Sequence, residues 1–170
     1  MRRGLLFALV VLAGGCARWT DAPEPAPARR PPSRDWVTEI RAAAATAPSE
    51  VEVTPLLDPA VSDLRAKAQA AERARDYAEA AAQLQQASEV RADDPDLLQW
   101  RAEIELQRRQ WREAATLSQR SLELGPRIGT LCVRNWLTLE AARTELGDAA
   151  GAQSARAQVK SCAVPELIRM

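Results

Sequence analysis

Any chemistry in this chain has to be done without histidine. None occurs in 170 residues, which removes His-based acid–base relays, Ser-His-Asp and Cys-His nucleophile pairs, and every His-bearing zinc site. Carboxylates are the next candidates. Glu103 and Glu105 are close enough in sequence to be imagined as a glycosidase pair, but a solvated helix face is the expectation for them. The seven glycines stand at 4, 14, 15, 125, 129, 147 and 151, so positions 16–124 contain none and no phosphate-cradling loop can be built there. The 23 basic and 23 acidic residues cancel, leaving no global field for nucleic acid. No spacing points to a metal or a cofactor. The reactive side chains that remain are three cysteines, Cys16, Cys132 and Cys162. With 34 alanines and only 4% aromatics, the expectation is an all-α chain that is not an enzyme, with no metal, no cofactor and no nucleic-acid partner.

Cys16 closes a segment with its own logic. Arg2 and Arg3 precede an apolar run from Leu5 to Leu12, followed by the small residues Ala13-Gly14-Gly15. Eight apolar residues cannot span a bilayer as a helix, which takes about 20; positive start, short apolar core and small-residue exit are the pattern of a signal peptide. Ala13-Gly14-Gly15-Cys16 resembles a bacterial lipobox. That resemblance implies cleavage before Cys16 and its modification with diacylglycerol and a third acyl chain, an anchor that holds firmly where a single chain holds marginally. Ala17, and not Asp, follows the cysteine, so the outer membrane is expected, with the protein facing the periplasm. Residues 1–15 are thus read as a lipoprotein signal peptide.

The next stretch, 16–59, reads as a lipid-anchored linker. Eight of the eleven prolines lie there, and Ala22–Pro32 alternates Ala and Pro in a way that favours polyproline II. Ser33 to Ala47 is long enough for one short helix capped by Ser33 or Asp35. Fully extended, the 43 residues after Cys16 would reach about 130 Å at ~3.1 Å each.

Residues 60–170 repeat themselves. Arg75-Asp76-Tyr77-Ala78-Glu79-Ala80 recurs 34 positions later as Arg109-Gln110-Trp111-Arg112-Glu113-Ala114, and more loosely as Gly147-Asp148-Ala149-Ala150-Gly151-Ala152. Period, turn and the alanine three residues past the aromatic resemble the tetratricopeptide repeat, with Ala68, Ala102, Ala80, Ala114 and Ala152 at its small-residue positions and Pro126 at its closing proline. Leu64, Leu98 and Trp136 stand where the family usually has Trp, and Trp111 and Trp136 are expected in the core. Independently of the family, Asp94-Pro95-Asp96 offers a cap, a proline for the first helical position and an acid for the helix dipole, and Gly125-Pro126 a stop. About three repeats and six helices follow, near 60–74, 77–91, 95–108, 111–124, 131–146 and 149–162, with Pro165–Ile168 able to fold over the last one.

A hairpin turning at Gly147-Asp148 brings Cys132 and Cys162 to one end, where an oxidising compartment would join them. In arrays of this family the first helix of each repeat lines a groove. Carried over by position, the groove shows Arg65, Gln69 and Arg73, then Gln99, Trp100, Glu103 and Gln107, then Arg134, Thr138 and Glu145. Trp100 is the expected anchor, since tryptophan is enriched in binding hot spots; packing on Val51–Leu57 is its alternative. Lipid anchor, Pro-rich tether and small repeat domain together resemble the outer-membrane lipoprotein activators of bifunctional penicillin-binding proteins. The implied function is docking on and stimulating a peptidoglycan synthase. The alternative is a pilotin or assembly-chaperone lipoprotein for a secretion, pilus or outer-membrane complex.

Overall fold

Aspartate opens five of the helices. Asp35, Asp58, Asp76, Asp94 and Asp148 each accept a backbone N–H from the first helical turn, and at Asp58 and Asp94 a proline follows as the first helical residue. The computed structural model describes residues 34–47 and 58–163, and these are all-helical. The elements are α1 Trp36–Ala45, α2 Pro59–Arg73, α3 Tyr77–Val90, α4 Pro95–Gln107, α5 Trp111–Leu124, α6 Gly129–Glu145 and α7 Ala149–Gln158, closed by a 3-10 turn over Val159–Cys162. The signal segment, Cys16, Ala17–Ser33, Val51–Leu57 and Pro165–Ile168 lie outside the described residues.

Three antiparallel hairpins, α2–α3, α4–α5 and α6–α7, stack in chain order. Their turns share one geometry. Arg75, Arg109 and Gly147 sit in the left-handed region with φ of 61°, 60° and 78°. At each turn the next residue's N–H reaches back five residues, from Asp76 to Ala71, Gln110 to Glu105 and Asp148 to Arg143, all at 2.9 Å. This is the Schellman closure, placed at the positions of the sequence repeat.

Alanine makes the stack tight. Ala68, Ala80, Ala102 and Ala114 are fully buried and Ala152 nearly so. Val61, Leu84, Leu97 and Ile104 complete the core of the first hairpin and α4. Trp111 and Trp136 are partly buried at the margin of the neighbouring clusters. Cys132 and Cys162 are joined, with 5.6 Å between their Cα atoms.

The segment read as linker contains a docked element. Trp36, Val37, Ile40 and Ala44 fall on one face of α1, and all four are buried in a cluster with Leu106, Val133, Leu137 and Ala141. α1 belongs to the same compact unit as the hairpins. Trp36 donates its indole N–H to Glu145 at 2.8 Å, and α1 packs on α4 and α6.

Candidate functional site: a polar cleft beside α1

The first helices of the three hairpins, α2, α4 and α6, present the residues expected on a groove. Glu103 of α4 is its deepest charge, with no solvent exposure, and Glu105 is buried too, so neither stands on the solvated face expected for them. Glu103 Oε1 accepts from Arg134 Nε of α6 at 2.7 Å and from Gln99 Nε2 at 3.1 Å; its Oε2 accepts from Arg41 Nε of α1 at 2.7 Å. Gln99 donates a second bond to Thr138 Oγ1 at 2.8 Å, and Ser118 Oγ stands 3.1 Å from the Gln99 carbonyl oxygen. A carboxylate so far from water is stable only when its oxygens are met by donors, and here every donor comes from a different turn or helix.

Above this layer lies a cleft of about 210 Å³, lined by Arg41, Arg65, Gln69, Glu72, Asp96, Trp100 and Arg134. Trp100 donates its indole N–H to Glu72 Oε2 at 2.8 Å, and Arg41 reaches Glu72 Oε1 at 2.6 Å. The Arg65 guanidinium stands 5.3 Å from the centre of the Trp100 ring, within cation–π range. Asp96 bridges two arginines: Oδ2 accepts from Arg65 at 2.7 Å and Oδ1 from Arg134 at 3.4 Å. Burial alone would lower the Arg41 and Arg134 guanidinia, but the charge of Glu103 and the hydrogen bonds to it, joined by Glu72 at Arg41 and by the charge of Asp96 at Arg134, outweigh burial and hold both above the ordinary arginine value.

Of the expected groove residues, Arg65, Gln69, Trp100 and Arg134 are therefore brought together around one opening. Gln99, Glu103 and Thr138 lie beneath it and not on it, because α1 covers that part of α4 and α6. Gln107 is half-buried beside the start of α1, donating to the cap residue Asp35 at 3.3 Å. Arg73 is exposed at the end of α2, outside the cleft, and Glu145 holds Trp36 of α1. Three cleft residues were not anticipated from sequence: Arg41, Glu72 and Asp96. The spacing of Trp36, Val37, Ile40 and Ala44 was the available signal for Arg41, since a helix docked by that face carries residue 41 toward α4.

Among the described residues no group of His, Cys, Asp and Glu side chains is placed to hold a metal ion, and no helix is long and apolar enough to cross a membrane. No model of a known protein family matches the chain, and no curated protein matches it.

Proposed function

We propose that this chain is an exported, lipid-anchored interaction module of the tetratricopeptide type, held to the outer membrane through Cys16. In this reading it docks on a partner protein through the Trp100 cleft, and the partner is a bifunctional penicillin-binding protein whose activity it stimulates. The observation that carries the docking mode is the condition of the groove itself. Over α4 and α6 it already accommodates an amphipathic helix, α1, by helix-in-groove packing. Beside that helix it leaves an indole framed by guanidinia on rigid helices.

The chemistry of the cleft defines what a partner brings. Its three arginines are matched by Glu72, Asp96 and Glu103, so no free positive field attracts an arbitrary acid. Asp96 is the exchangeable member, with 41% of its side chain exposed. A partner carboxylate takes its place between Arg65 and Arg134, while an apolar side chain covers Trp100. Desolvating an aromatic beside such a charge pair gives the centre of a hot spot.

Affinity of the full chain for a purified bifunctional synthase, with glycan polymerisation followed in parallel, tests the reading. Trp100→Ala is expected to weaken binding by about 30-fold, the equivalent of ~2 kcal/mol, with helical content unchanged. Arg65→Gln is expected to act mainly on association rate and salt dependence. No binding by the unaltered chain, or an affinity indifferent to Trp100→Ala, would overturn it.

A further inference from the structure

Docking of α1 creates a second cavity, separate from the cleft. About 540 Å³ of space lies between the end of α1, α6, α7 and the 3-10 turn, within the roughly 300–1,000 Å³ usual for sites that hold small molecules. Its walls are apolar, with Ala43 from α1, Val133 and Leu137 from α6, and Ala157 from α7. Its polar edge is basic: Arg156 and Lys160, four residues apart on successive turns, stand on the same side. Arg156 makes one ion pair, to Glu140 at 3.1 Å, and keeps 64% of its side chain exposed. Cys162 also lines the cavity, so the bond to Cys132 holds this basic edge against α6.

We infer that this cavity is a binding site for a single-chain amphiphile with an anionic head, a fatty carboxylate being the simplest member. Apart from the Gln153 side chain of α7 and the basic edge, the lining is apolar, so a hydrocarbon tail is the group it matches. A carboxylate at the opening meets Arg156 and Lys160 together, by charge complementarity that a neutral or cationic head lacks. The walls come from packed helices and a cross-linked turn, so the shape exists before the ligand arrives. This site is independent of the partner-docking cleft and does not rest on that reading.

Calorimetric titration of the oxidised full chain carrying Cys16→Ser, which removes any lipid at that position, provides the test. Octanoate, decanoate and dodecanoate, each kept monomeric, are the probes, with 1-dodecanol as the neutral counterpart. Saturable one-to-one binding is expected, tightening with chain length by up to roughly fourfold per methylene. The double variant Arg156→Gln, Lys160→Gln should weaken dodecanoate by about three- to tenfold and leave dodecanol unchanged. Ala157→Trp, a filling change at an exposed wall position, should abolish binding of both while circular dichroism stays the same. Absence of saturable binding overturns the inference, as does binding that Ala157→Trp leaves intact. Binding seen only after removal of residues 164–170 would give the cavity to the chain's own end and overturn it equally.

Discussion

Glu103 concentrates the energetics of the interior in one side chain. Removing a buried partner leaves charges without compensation, at a cost of about 3–5 kcal/mol in a fully buried pair. Here 40% of Arg41 and 18% of Arg134 remain exposed, so water recovers part of the loss and Glu103→Ala is expected to cost about 3 kcal/mol in urea denaturation. Arg41→Ala should cost less, about 1 kcal/mol, because Arg134 and Gln99 still hold the carboxylate. The helical spacing of Gln99, Trp100 and Glu103 made them legible as one face in the sequence. Arg41 was not legible as their partner. It stands 62 residues before Glu103, and a pairing across that distance leaves no local pattern. Asp96 shows the same limit: its place in the first turn of α4 advertises a dipole interaction, while the bridge between Arg65 and Arg134 depends on how hairpins stack.

The limits of five of the six expected hairpin helices were readable to within two residues because their signals are local (Asp caps, Pro at the first position, Gly after the last), while α7 ends four residues before its expected limit. The two departures have geometric causes. α6 begins at Gly129, whose φ of 79° turns the chain into the helix, and α7 tightens into a 3-10 turn where Cys162 meets Cys132. Arg75 and Arg109 hold the left-handed conformation that Gly147 adopts without strain. An L side chain there costs about 1–2 kcal/mol, so Arg75→Gly and Arg109→Gly are each expected to raise stability by up to ~1 kcal/mol once the added freedom of the unfolded chain is counted. The cross-link closes a loop of 30 residues; in the entropy model its replacement by two serines costs about 3–4 kcal/mol, read from the thermal midpoint. Asp35 caps α1, and hydrogen bonds from the Thr38 hydroxyl and N–H hold its carboxyl below the usual aspartate value. The sign follows: this contribution is complete above the unfolded value near pH 4 and is lost as pH falls through the depressed folded value. Asp35→Ala should therefore cost ~1 kcal/mol at neutral pH and progressively less in acid, measured as the difference in denaturation midpoint between the two proteins across pH.

At the scale of the whole molecule, α1 redraws the tether. Counted to Pro59 the linker would be long; counted to Arg34, where the docked unit begins, only 17 residues lie between it and Cys16, a reach of at most about 60 Å. On the proposed docking function, halving 17–33 is expected to leave affinity for the synthase in solution unchanged and to abolish stimulation in cells, compared by binding and by growth of a strain that depends on the module. The docked helix also decides how the molecule answers a pull. On the proposed anchoring through Cys16, tension entering from the N-terminal side meets α1 before any hairpin; α1 is ten residues held by four apolar side chains, the Trp36–Glu145 and Gln107–Asp35 hydrogen bonds and the ion pairs of Arg41, while the last hairpin behind it is cross-linked. Under such load α1 is expected to yield first, a mechanical fuse in series with the proposed anchor. Force spectroscopy should show its release as a separate early step. A taut molecule would then expose the whole length of the groove, Glu103 included, where a slack one shows only the opening beside Trp100.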